Sequence, residues 1–272
     1  NMFSIRLAGY YRDITEQTGS VYYTNYDRSV DYRTINNNNY QDIRGFELSI
    51  HKNVGQWVRG WMNYNYMVET SGYIGREHYF EDPREQRIQG LQNPYQEKPL
   101  PRPLLRANLQ SLTPPEFGPL FAGFRPFADL SLSFLYSWKA GNYTTWDPLN
   151  TYELNQNLQW KPSQNIDMRF SKRVSIAERN ISVFMDIHNL LNHKEIYYQG
   201  FETGSDDREY ILSLKLPLYN DERYQNQLGV EGGNDQLGDM KSEDKPYIDM
   251  PNREFLTHLD PRVITFGFKF SF

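Results

Sequence analysis

The sequence predicts an all-β fold, an antiparallel transmembrane β-barrel, on three observations. From Arg262 to Phe272, the residues Ile264, Phe266, Phe268, Phe270 and Phe272 fall on every second position, with Val263, Thr265, Gly267, Lys269 and Ser271 between them. That is the period of a strand with one apolar and one mostly small or polar face. About 9 to 11 residues is the length a tilted strand needs to cross a bilayer. Second, no apolar run approaches the roughly 18 residues of a spanning helix, so a crossing has to be made by strands. Third, 38% hydrophobic residues and a mean hydropathy of -0.77 sit beside 15% aromatics, with 21 Tyr and 16 Phe. A polar lumen and long polar loops dilute a thin lipid-facing band to such values. A long soluble edge strand is the competing explanation of the last stretch alone.

At 272 residues the chain needs no more than one large β domain. It has no cysteine, which excludes disulfides, thiolate metal sites and a cysteine nucleophile, and leaves the redox compartment open. A net charge of -5, a pI near 5.6 and the lack of a basic patch interleaved with aromatics exclude a nucleic-acid partner. The opening Asn1-Met-Phe-Ser-Ile has no charged n-region or apolar core and already alternates. The sequence is therefore expected to be a mature or partial chain whose N-terminal part is missing.

In order, Phe3, Ile5, Leu7, Gly9 and Tyr11 alternate with polar neighbours and predict a first strand over residues 2–12. Residues 13–41, with an unbroken Asn run from Asn36 to Asn39, read as a long loop with a strand extension at Val21 to Tyr26. Phe46, Leu48 and Ile50 form the next strand, and a tight turn at Asn53 to Gly55 leads to Val58, Gly60, Met62, Tyr64, Tyr66 and Val68. A polar segment from Glu69 to Pro101 follows. Alternation restarts at Leu105, Ala107 and Leu109, and Pro114 to Pro119 is a rigid turn that cannot enter a sheet interior. Leu130, Leu132, Phe134, Tyr136 and Trp138 make the clearest stripe in mid-chain. Further strands are predicted through Tyr152, Leu154, Leu158 and Trp160, through Ile166, Met168 and Phe170, and through Ile181, Val183, Met185 and Ile187. After Asn189-Leu-Leu-Asn192 a strand is expected to return through Ile196, Tyr197 and Tyr198, with Tyr210, Leu212, Leu214 and Leu216 as a further candidate. Residues 202–260 hold 14 Asp and Glu against 6 Lys and Arg, the composition of a long acidic surface loop before the closing strand.

Four stretches resemble one family. The closing strand with its final Phe resembles the terminal strand of outer-membrane barrels, where Phe266, Phe268, Phe270 and Phe272 would belong to the signal read by the barrel-assembly machinery. The hairpin Arg44 to Ile50, turn, Trp57 to Tyr66, the Ala140-Gly-Asn-Tyr-Thr-Thr145 loop and the Asn189-Leu-Leu-Asn192 turn are similar to those of TonB-dependent receptors, with Leu191 where Phe is usual. The resemblance implies about ten C-terminal strands of a 22-stranded outer-membrane barrel with a plugged lumen. It implies energy-coupled uptake of a scarce ligand, an iron chelate, vitamin or oligosaccharide. It further implies outer-membrane lipid, the protein's own plug domain, TonB and a surface lipoprotein as partners.

With ten strands and the closing strand ending at the periplasm, 53–56, 114–119, 161–165 and 189–192 fall inside, and 13–41, 69–101, 140–150 and 199–261 outside. Short inside and long outside is the barrel asymmetry. The short 175–179 connection outside and the long 112–126 connection inside are its two exceptions.

No Gly-x-Ser-x-Gly elbow, His-Glu-x-x-His pair or phosphate-cradling Gly loop occurs, so an outer-membrane hydrolase is disfavoured and no enzyme is expected. A passive or structural barrel (channel, adhesin or part of a surface assembly) is the competing function. His188 and His193 read as turn residues rather than metal ligands. The acidic stretch from Glu231 through Asp235 and Asp239 to Glu243 and Asp244 offers oxygens to Ca²⁺ but lacks a known loop spacing, so no cofactor is expected. Glu47, His51, Arg59, Asn63, Asn65, Asp129 and Arg169 project opposite the apolar stripes and are expected to line the lumen or meet the plug. Tyr64, Tyr66, Tyr136, Trp138 and Trp160 suit interfacial girdles. Tyr22, Tyr23, Tyr26, Tyr40, Tyr73, Tyr79 and Phe80 are the candidate ligand contacts, because binding residues concentrate on loops carried by a rigid scaffold.

Overall fold

Long strands laid side by side in chain order, each antiparallel to the next, dominate the computed structural model. It describes residues 3–271 apart from 93–98, 122, 124, 152–153, 177–178, 197–200, 202–203 and 240–260. The strands are β1 (Ser4–Thr24), β2 (Asp31–Lys52), β3 (Val58–Tyr73), β4 (His78–Phe80), β5 (Leu100–Pro101), β6 (Leu104–Leu112), β7 (Leu130–Lys139), β8 (Tyr143–Thr144), β9 (Leu158–Gln159), β10 (Ser163–Ile176), β11 (Arg179–His188) and β12 (Val263–Ser271). One ten-stranded sheet runs β12-β11-β10-β7-β6-β3-β2-β1-β4, with β5 beside β3, while β8 and β9 pair apart from it. Among the described residues the sheet is open, with β12 at one edge and β1 and β4 at the other.

Cross-strand register puts every predicted apolar stripe of the long strands on one face. Leu7, Leu48, Tyr64, Leu105 and Trp138 form one continuous row. Phe134, Met168, Ile187 and Ile264 form another, and Leu132, Phe170, Met185 and Phe266 a third. The intervening rows are polar, for example Arg6, Ser49, Asn63, Arg106, Ser137 and Asn165. The apolar face is uncovered: Leu7 is 70% and Phe266 73% exposed. A contiguous apolar surface across eight strands far exceeds the few hundred Å² that water tolerates, so its solvent is a membrane.

Of the ten strands expected, eight form the wall among the described residues, and the sheet reaches ten only with the short β4 and β5. Residues 158–159 pair only with 143–144, because the left-handed backbone of Asn150 (φ 53°) and Gln156 (φ 45°) breaks the extended run and Leu158 turns into a core. Ile196 is buried in the same core outside any strand, and Tyr197 and Tyr198 lie outside the described residues. β7 therefore pairs directly with β10, and β11 with β12. This reverses three assignments of side. The 177–178 connection joins 53–57, 113–129 and the end of β12 at one end of the sheet, while 161–162 and Asn189 to Asn192 lie at the other with 25–30 and 74–103. One exception to the short-inside rule disappears, since the two-residue connection now sits at the short-turn end. The 113–129 connection is the exception that stays.

The expected loop 13–41 is mostly strand. Asn and Tyr residues of β1 and β2 pair up to Thr24 and Asp31, across two compensating register shifts near Glu16 (φ 57°), leaving 25–30 as the turn. At 21 and 22 residues against 9 or 10 in β6, β7, β11 and β12, this hairpin projects well past the loop end. The expected loop 69–101 likewise holds the end of β3, β4, α1 (Pro83–Gln92) and β5.

The expected acidic loop and the strand candidate at 210–216 are replaced by a folded cap at the loop end. It contains α2 (Gly204–Ser213), a 3-10 turn (Pro217–Asn220) and α3 (Glu222–Leu228). Tyr210, Ile211 and Leu214 recur at one-turn spacing, so the alternation of 210, 212, 214 and 216 loses to a helical face. They pack with Leu216, Tyr219, Tyr224 and Leu237 and with Trp146, Leu158 and Ile196. Trp160, expected in a membrane girdle, packs against this core, its ring 6.5 Å from those of Phe201 and Tyr210. Tyr64, Tyr66, Tyr136 and Trp138 stay on the apolar face near the loop end. Trp146 Nε1 donates to Tyr219 Oη at 2.9 Å, and burial pushes the Tyr219 phenol above its ordinary pKa.

Candidate functional site

The projecting hairpin gathers aromatics because β4 pairs in parallel with the end of β1, setting Tyr22, Tyr23 and Thr24 against His78, Tyr79 and Phe80. Tyr23 also faces Tyr32 across the β1–β2 ladder. Its ring stacks on Tyr32 at 4.9 Å and on Tyr79 at 5.0 Å, nearly parallel to both, a three-ring ladder. On the reverse side Tyr22 lies 5.6 Å from His78, His78 stacks on Phe80 at 3.8 Å, and the Thr24 hydroxyl is 2.7 Å from His78 Nε2. The segment around β4 is pinned by Glu81, which accepts from the Tyr26 backbone N–H at 3.1 Å, and by an Arg28–Glu85 pair at 2.8 Å. Asp82 opens α1 by accepting from the Arg84 N–H at 2.8 Å. Half-exposed ring faces such as Tyr32 and Tyr79, with Arg76 5.8 Å over Tyr79, can stack planar, apolar or cationic groups.

The structure thus brings Tyr22, Tyr23, Tyr79 and Phe80 together, with Tyr26 exposed at the tip nearby. It separates the other two candidates. Tyr40 pairs with Gly72 and Tyr73 with Asn39, consecutive rows, so Tyr40 shares the face of Phe46 and Tyr66 while Tyr73 shares that of Asn65. Tyr32 and His78 were not singled out in the sequence. Matching Tyr-Tyr-Thr in β1 with His-Tyr-Phe in β4 was the available signal.

On the polar face, Glu47, His51, Arg59, Asn63 and Asn65 all occupy polar rows of β2 and β3. Asn65 Oδ1 accepts from Tyr10 Oη at 2.9 Å, and Tyr10 crosses Gly45, where a Cβ would come within 2.8 Å of that hydroxyl. Arg59 and Asp129 both line a recess of about 400 Å³ at the short-turn end, with Ser131, Ser171, Arg173 and Ser182. Arg169 makes a two-pronged pair with Asp186, 2.6 Å at both contacts, and its guanidinium lies 5.5 Å over the Phe184 ring. Phe184 in turn covers Gly267, where a Cβ would lie 2.4 Å from the ring, so the one glycine of β12 is a socket for its neighbour's aromatic.

His188 lies 3.2 Å from Asp167, whereas His193 lies 3.5 Å from Glu195, so the two do not form one site. Asp235 accepts from the Lys215 N–H at 2.8 Å, Asp239 pairs with Lys161, and Glu231 with Lys215. Those acids already serve the cap. Glu243 and Asp244 lie outside the described residues, and among the described residues no group of three or more His, Asp or Glu could hold a metal ion. Phe266, Phe268 and Phe270 stand exposed on the apolar face of β12, and Phe272 lies outside the described residues.

Comparison with curated proteins returns no match, and neither does comparison with solved structures. A family model described as TonB dependent receptor-like, beta-barrel, matches residues 1–190, from β1 through β11. Proteins of this family reside in the outer membrane and serve TonB-dependent transport. With more than two thirds of its length matched, and with antiparallel strands that are apolar on one face and polar on the other, the chain belongs to the TonB-dependent receptor-like β-barrel family.

Proposed function

We propose that the chain is the C-terminal wall portion of an outer-membrane active transporter that takes up a scarce ligand, an iron chelate, vitamin or oligosaccharide, at the expense of energy delivered through TonB. The observation that carries this reading is the apolar face that runs over eight strands, backed by a polar face rich in Asn, Ser, Arg and Glu. Glu47, His51, Arg59, Asn63, Asn65, Asp129 and Arg169 line the lumen and meet the plug. The ladder of Tyr23, Tyr32 and Tyr79, with Tyr22, Tyr26, His78 and Phe80 around it, offers ring faces to ligand arriving from outside, and Tyr73 extends this surface along the polar face. Tyr40 serves the membrane side instead.

Uptake of a panel of labelled ferric chelates, cobalamin and oligosaccharides by cells carrying the full-length protein tests the reading. One panel member is expected to accumulate only with intact TonB and a charged inner membrane. Accumulation that survives loss of both assigns the protein to passive channels instead.

A further inference from the structure

The 113–129 connection breaks the short-turn rule, and its side chains say why. Thr113 closes its base, donating to the Phe127 carbonyl at 2.6 Å and accepting from the Leu130 N–H at 2.8 Å. Arg125 folds inward and donates to the carbonyls of Glu116 and Gly118 at 3.1 and 2.7 Å. The Thr113 and Arg125 side chains are thus spent internally, the N–H groups of Phe117, Ala128 and Asp129 donate within the connection, and Pro114, Pro115, Pro119 and Pro126 have no N–H to satisfy. Three large apolar side chains point outward, Leu120 63%, Phe121 75% and Phe127 53% exposed, beside the exposed Glu116 nearer the base.

Lys172 fixes the side of the sheet on which this loop lies. It occupies the apolar row Leu130, Lys172, Val183, Phe268, the sole cation of that row, near the end of β12. Its ammonium donates to the carbonyls of Arg125, at 3.0 Å, and Ala128. The Arg125–Ala128 limb of the connection therefore lies on the lipid-side face, continuous with the apolar band, while Thr113, Pro114, Pro115 and Asp129 at its base line the polar-face recess. We propose that this connection carries an interfacial foot, seating Leu120, Phe121 and Phe127 among the phospholipids of the leaflet at the short-turn end, with Lys172 as its tether. The foot rests on the reading of the apolar face as lipid-facing. Buried apolar area drives such insertion, and the four prolines and the internal hydrogen bonds of the connection lower the cost of leaving water.

The chain has no cysteine, and any cysteine elsewhere in the full-length protein is replaced by serine before labelling. Full-length protein carrying a bimane on Phe121→Cys or on Phe268→Cys is placed in phosphatidylethanolamine–phosphatidylglycerol bilayers with nitroxide-labelled lipid. Both labels are expected to be quenched at least about 3-fold by the nitroxide lipid and to be shielded from iodide. Lys172→Met is expected to halve quenching at 121 and leave 268 unchanged. Quenching at 268 with an iodide-accessible, lipid-unquenched label at 121 overturns the foot and spares the wall, as does cross-linking of 121 to a second copy. An unquenched label at both positions overturns the wall reading and the foot with it.

Discussion

The wall and the cap use apolar side chains in opposite senses. In the wall, Leu7, Phe266, Phe268 and Phe270 stand exposed, and the polar residues face one another across the strands. In the cap, Tyr210, Leu214, Leu216, Tyr219 and Leu237 are essentially sealed from solvent, and the acids lie around them. One chain thus carries a surface made for lipid and a core made for water. The wall owes its shape to backbone ladders, which need a closed ring and a membrane to be satisfied. The cap owes its shape to side-chain packing, as a small soluble domain does.

The largest effect expected from this contrast is on the wall. Phe134→Arg, in mid-band, should cost about 2–4 kcal/mol of insertion free energy, whereas Leu135→Arg, one residue on and facing Asn108 and Asp167, should stay within about 0.5 kcal/mol. The fraction of heat-resistant folded barrel on a cold gel measures both, and equal losses would contradict the two-face assignment. Next, Leu237→Ala should cost the cap about 2–5 kcal/mol through the cavity it leaves. Hydrogen exchange in α2 and α3 should rise while β10 and β11 stay protected; common loss would make cap and wall a single cooperative unit. The smallest effect is a pH response confined to the cap. Asp221 caps α3, and hydrogen bonds from the Arg223 side chain and N–H hold its carboxyl below the ordinary carboxylate range. Because its folded pKa is depressed, its contribution is complete above the unfolded value near pH 4 and is lost as pH falls through the lower folded value. Exchange protection of α3 should hold from pH 7 to about 4.5 and weaken only below, and Asp221→Ala should abolish that step.

Period-two alternation made the wall legible, because a strand that faces lipid on one side prints its environment on every second residue. Nothing comparable marks the cap. Trp146, Leu158, Ile196, Tyr210 and Leu237 come from separate stretches, and the surrounding acids gave the segment the composition of a solvated loop. The strand expected through 158–160 arose from residues of the cap core, and Ile196, the described apolar residue of the next expected strand, is a cap-core residue too. The aromatic site was legible as a set of loop tyrosines but not as a cluster, since the parallel pairing of β4 with β1 has no local signature. Tyr40 could have been set apart from Tyr73 by carrying the parity of Phe46 and Tyr66 up the β2–β3 hairpin.

The pairing of His188 with Val263 puts the feet of a very long excursion side by side. An unstructured segment from 189 to 262 would charge the last hairpin a large entropy of ring closure before its first hydrogen bond. Folding 204–239 upon itself, stitched to the 140–162 segment by Trp146 and Leu158, shortens the effective span between those two residues. Halving the effective tether lowers the closure cost by about 0.6 kcal/mol, a modest gain that falls on the pairing of β11 with β12 alone.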